Sequence, residues 1–189
     1  MRVFKNAGEE NTRETIELAA ARARELQIGK IVVASSTGAT ALRFLESWPA
    51  ERLVVVRSVV GFERADSQEM PADAEKQILS SGARLVTAAH AFGGLGRAVR
   101  RKFQTYQSDE IVAATLRIFG QGVKVACEVA LMACDAGMVR TDEKVVSCGG
   151  SGSGADTALV LTPANTHNFF DMKVHEIICK PGNAAAEAT

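Results

Sequence analysis

Apolar positions along this chain follow two patterns that alternate. Ile16, Ala19, Ala20, Ala23 and Leu26 recur at helical spacing. Asn11-Thr-Arg-Glu14 ahead of them reads as a capping box, and Gly29 behind them reads as the stop. At Lys30–Ser35 the pattern changes to a continuous β-branched run, K-I-V-V-A-S, which predicts a strand buried on both faces. Further helices are predicted over Ala39–Ser47, from Pro71 to Ser81 before Gly82, and from Ser108 to Ala136 with a break at Gly120 and Gly122. Strands are predicted over Leu53–Val60, Arg84–Ala88, Lys144–Cys148, Thr157–Thr162 and Lys173–Cys179.

Alternating strands and helices imply a largely parallel sheet covered on both faces. One connection breaks the rule. The residues between Cys148 and Thr157 are too few for a helical crossover, so the strand at Thr157 is expected to run antiparallel to its neighbour. With 189 residues, 47% of them hydrophobic, the expectation is one α/β domain over residues 1–182, followed by a small, polar tail at 183–189 that frays.

Composition removes several functional classes. No apolar stretch approaches the roughly 20 residues that span a bilayer, and no export signal is visible, so no membrane partner and a cytoplasmic location are expected. Lys plus Arg and Asp plus Glu are both 22, which argues against a nucleic-acid partner. Cys127, Cys134, Cys148 and Cys179 form no C-x-x-C pair and read as core thiols in a reducing compartment. No His, Cys or carboxylate group has metal-ligand spacing, so no metal is expected.

Ligands of parallel α/β sheets sit beyond the carboxyl ends of the strands. Three loops rich in small residues fall there. Ser35, Ser36, Thr37, Gly38 and Thr40 open a helix and suit an anion; a plain helix cap by Ser36 or Thr37 is the other reading. The second loop, His90-Ala-Phe-Gly-Gly-Leu-Gly96, lacks the G-x-G-x-x-G spacing of a dinucleotide site. Its His90 reads as a donor to a ligand, as an acid/base group or as structural, and its Phe92 as a ring platform or a core anchor. Gly150, Ser151, Gly152, Ser153 and Gly154 precede Asp156 and Thr157, without the G-K-[ST] ending of a P-loop. Arg97, Arg100, Arg101 and Lys102 read as a solvated helix face or as a patch that recruits an anionic ligand.

At N-T-R-E-T-I-E-L-A-A, I-V-V-A-S-S-T-G-A-T-A and G-A-D-T-A-L-V-L-T-P-A the chain resembles stand-alone proteins similar to the C-terminal α/β domain of pyruvate kinase, from about Glu9 to Lys180. The resemblance implies a three-layer α/β/α fold with a mostly parallel sheet and one antiparallel strand. It implies a ligand phosphate at Ser35–Thr40, flavin mononucleotide (FMN) as the first cofactor candidate, and self-association. Asp156 would then serve the ribityl chain, and the glycine loops and Phe92 the ring. The alternative is a regulatory module that binds a phosphorylated metabolite. Pyruvate kinase activity is not expected, because the catalytic barrel of that enzyme has no counterpart in these residues.

Overall fold

The computed structural model describes residues 1–182, so the tail expected to fray lies outside the described residues. The chain runs β1 (Arg2–Phe4), α1 (Thr12–Glu25), β2 (Ile31–Ala34), α2 (Ala39–Leu45), β3 (Leu53–Arg57), α3 (Ala72–Ser80), β4 (Arg84–Thr87), α4 (Leu95–Phe103), α5 (Ser108–Arg117), α6 (Gln121–Asp135), β5 (Val145–Gly149), β6 (Thr157–Thr162) and β7 (Lys173–Pro181). The strands form one sheet in the order β1-β7-β6-β5-β2-β3-β4. Every neighbouring pair is parallel except the two made by β6, which runs against both β5 and β7. The short connection after β5 forces that reversal, as the spacing predicts.

The β-branched runs form strands because successive side chains enter opposite layers. Ile31, Val33, Leu53, Val55 and Val146 pack with Ile16, Ala19 and Ala23 of α1, Phe44 of α2 and Ile78 of α3. Val32, Val54, Val56, Val145 and Leu161 pack on the other side, with Ala126, Val129, Ala130 and Ala133 of α6 and Ala113 of α5. Helix α6 lies between the sheet and α5, with 12 of its 15 residues buried. All four cysteines are buried and free. Burial pushes the Cys127 thiol up to about 12, which keeps it protonated and inert. Among the described residues, no helix is long and apolar enough to cross a membrane.

Several local expectations fail for identifiable reasons. There is no capping box at Asn11: its amide donates to the carbonyls of Asn6 (2.9 Å) and Gly8 (3.2 Å), while Glu14 pairs with Arg2 (2.8 Å). Gly29 does not stop α1; Gln27 takes the left-handed position (φ 55°), and Ile28 N–H closes on the Ala23 carbonyl at 2.8 Å. β3 ends at Arg57, short of Val60, because the Ser58 carbonyl accepts from the Gln68 side chain and Val59 N–H points to His90. β1 was not anticipated. Only Phe4 of its three residues is buried, too short a pattern to mark a strand.

Candidate ligand site

Strands β2, β3, β4 and β5 end on the same edge of the sheet, and the segments that leave them surround a cavity of roughly 570 Å³ backed by α6. Of the residues singled out in the sequence, Ser35, Ser36, Thr37, Thr40, His90, Gly150, Gly152, Ser153 and Gly154 line it. Gly38, Phe92, Ser151, Asp156 and Thr157 do not.

The loop after β2 is tied down from within. Gly38 holds the N-cap position of α2, and the side chain that accepts from its first turn is Ser35, whose Oγ meets Ala41 N–H at 3.2 Å, rather than Ser36 or Thr37. Ser36 Oγ meets Ser58 Oγ at 2.8 Å, and Ser58 Oγ donates to Glu69 Oε2 at 3.2 Å. The other oxygen of Glu69 is buried without a partner. The glycine at position 38 is required by the backbone itself. Its φ is +88°, and a Cβ there would sit 2.9 Å from Ala74 Cβ on α3. Gly38→Val would therefore report on folding, not on phosphate approach.

Asp156 is also spent inside the fold. It is fully buried; Oδ2 accepts from Gly8 N–H (2.9 Å) and Ser151 N–H (3.1 Å), and Oδ1 from the Thr157 hydroxyl (2.8 Å). These bonds lock the glycine-serine loop to the segment before α1, and the buried carboxylate does not line the cavity. Phe92 is a core anchor. Its ring meets Phe169 edge-on at 5.6 Å, and it is only 6% exposed. The basic run splits: Arg97 reaches the cavity, Arg100 pairs with Glu110 (2.5 Å), and Arg101 and Lys102 are exposed.

His90 closes one wall. Its ring stacks on Phe62 at 4.6 Å, and Nε2 accepts from Val59 N–H at 3.4 Å, which requires the neutral ring with its proton on Nδ1. Burial pushes the imidazole below its ordinary value; Glu128 opposes this, Lys124 and Arg97 reinforce it, and Glu69 opposes it. The unfolded chain therefore binds the proton more readily, so this contribution to stability is present above the ordinary histidine value near ~6.5 and is lost as pH falls below it. We expect wild type to lose more thermal stability between pH 7.5 and 5.5 than His90→Gln does. Parallel losses in the two proteins would show that His90 does not carry the effect.

The sequence reading missed the deepest residues of the site. Lys124 and Glu128 of α6 form an ion pair, with side chains 7% and 6% exposed, and Glu128 Oε1 accepts from Phe92 N–H at 3.0 Å. Two opposite charges four apart in the otherwise apolar run V-K-V-A-C-E-V-A-L-M were the available signal. Arg57, Ser58, Phe62 and Arg117 were missed as wall residues too, whereas Arg97 belongs to the basic run already singled out. The Arg97 guanidinium lies 4.9 Å from the Phe62 ring centre, and Arg117 donates to Gln121 Oε1 at 2.7 Å. Among the described residues neither arginine forms a salt bridge, unlike Arg43 with Glu9 and Arg57 with Glu75. No group of three or more His, Cys, Asp or Glu among the described residues could hold a metal ion.

Residues 13–161 match the family model of the pyruvate kinase alpha/beta domain. The match takes in every cavity-lining residue except Glu9 and ends within β6, so β1 and β7 lie beyond it. A match over this much of a 189-residue chain shows that the protein belongs to the pyruvate kinase alpha/beta domain family.

Proposed function

We propose that the cavity binds a small phosphorylated ligand, with flavin mononucleotide as the first candidate. The observation that carries the reading is the pair Arg97 and Arg117, two wall guanidiniums with no carboxylate partner among the described residues, in a cavity that also presents hydroxyls. An unpaired guanidinium suits phosphate oxygens. The Ser36 and Thr37 side chains and the amides ahead of α2, which lie outside the helix's own hydrogen-bond ladder, would add neutral donors.

The donor set fits the cofactor that the sequence resemblance implies. Roughly 570 Å³ lies within the ~300–1,000 Å³ of small-molecule sites. The partnerless oxygen of Glu69 can accept from a hydroxyl or ring N–H, and Val125, Val129 and Met132 offer an apolar wall. Phe62 is a poor ring platform, since His90 covers one face and Arg97 lies against its ring. A bound flavin would supply its own redox chemistry; the chain's part is to hold and orient it.

One observation favours a second reading, the effector-binding module. Glu9, Glu63 and Glu69 share the wall with the cations, a mixture that suits a sugar phosphate, whose hydroxyls donate to carboxylates. Flavin fluorescence decides. FMN should bind at least about tenfold more tightly than riboflavin, a difference of about 1.4 kcal/mol, and the gap should narrow in Arg97→Ala/Arg117→Ala. Equal affinity for the two flavins would contradict the phosphate assignment. A sugar phosphate that binds where neither flavin does would establish the effector reading instead.

A further inference from the structure

We propose that Lys124 is the nucleophile of an imine-forming site whose substrates are phosphorylated aldehydes or ketones. The inference rests on the cavity being the ligand site. Lys124 is the one lysine among the residues that line it. Its ammonium meets Glu128 one turn along the same helix and lies 5.6 Å from the centre of the Phe92 ring. The fold has no evident need of this pair. Both partners sit on α6, which its apolar face already holds to the sheet, and buried ion pairs are often replaced by apolar residues at no loss. What the pair does provide is an amine beside a fixed proton acceptor. Phe92 N–H holds Glu128 Oε1, which leaves Oε2 on the lysine.

Burial weakens the ammonium, Glu128 strengthens it, and Arg117 and Arg97 weaken it further, so the net shift is downward. The neutral amine is correspondingly easier to reach. The ammonium gives a proton to Glu128, and the freed amine adds to the carbonyl carbon. A C–N bond forms as the C–O π bond opens, and a second proton moves from the nitrogen to the alkoxide oxygen to give the carbinolamine. The proton returns from Glu128 to the carbinol oxygen, which leaves as water, and the product is a protonated imine. No electrons are transferred, and the only by-product is water. Arg97 and Arg117, which also line the cavity, would take the phosphate.

Pyridoxal 5′-phosphate, with pyridoxal as control, followed by borohydride reduction and peptide mapping, tests this on the full chain. The reduced adduct should sit on Lys124 and form at about tenfold lower concentration of the phosphorylated probe. Lys124→Arg keeps the cation but has no primary amine to condense, and should give no adduct at this position; circular dichroism checks its fold. Glu128→Gln still accepts from Phe92 N–H but cannot take the proton, and should slow the adduct by at least about tenfold. Adducts scattered over exposed Lys5, Lys76 and Lys102, with Lys124 unmodified, would overturn the proposal. Flavin binding is read separately. A chain that quenches FMN yet leaves Lys124 unmodified overturns the imine and keeps the cavity reading. Equal labelling by both probes overturns the phosphorylated class of substrate.

Discussion

Lys124→Met is expected to cost the fold about 3–5 kcal/mol, because it strands Glu128 as a buried charge with its partner gone. The geometry supports the upper part of the usual mutational range. The carboxylate is 6% exposed, Phe92 N–H holds one of its oxygens, and Glu128 is one of twelve buried residues of α6. Domains of ordinary stability hold about 5–15 kcal/mol in total, so this one change would consume a large share. Lys124→Met/Glu128→Gln should recover most of the loss, since it removes both charges and keeps an acceptor for Phe92 N–H. Urea unfolding at equal m-values measures both. If the single variant were as stable as the double, the carboxylate would have to be reaching water, and the buried pair would be disproved.

The second large effect is steric. A Cβ on Gly149 would lie 2.6 Å from the Gly122 carbonyl and 2.8 Å from Ala126 N, both backbone atoms of α6. Neither can swing aside as a side-chain tip would, so Gly149→Ala must push α6 off the end of β5. Overpacking of this kind costs about 1–3 kcal/mol, occasionally more. At about 2–4 °C per kcal/mol for a domain of this size, the melting temperature should drop visibly. The same displacement would move Lys124 relative to the loop at 150–154, so ligand affinity should fall with stability. A melting temperature unchanged within a degree or so would show that β5 and α6 are not packed this closely.

Much of the fold was legible because its strands are strong, local signals. Runs such as I-V-V-A and L-V-V-V have no polar face to confuse the pattern, and the short connection before Thr157 fixed the one reversed strand. The edge strand β1 was not legible, since β7, which pairs with Arg2–Phe4, lies at the far end of the sequence. The site was half legible. Loops at strand ends carry hydroxyls and glycines for reasons a sequence shows, and nine of those residues do meet around one cavity. Asp156 misled because its loop reads as exposed, whereas distant Gly8 N–H binds its carboxylate. Lys124 and Glu128 were passed over because helical charges usually face water, and only the sheet and α5 on either side of α6 show that these do not. Phe62 came from a stretch with no periodic pattern, and only its stacking on His90 brings it to the wall.

A phosphorylated ligand in the cavity at the ends of β2 to β5 should leave its mark on the backbone amides there. Amide chemical-shift mapping of the nitrogen-15-labelled full chain, titrated with FMN, tests it most directly. Saturable shifts are expected at residues 36–40, 150–154 and 121–125, with Cys179 and the rest of β7 unmoved, and weaker shifts with riboflavin at 36–40. Saturable shifts confined to surfaces away from these segments, or none at concentrations where flavin fluorescence shows binding, would contradict it.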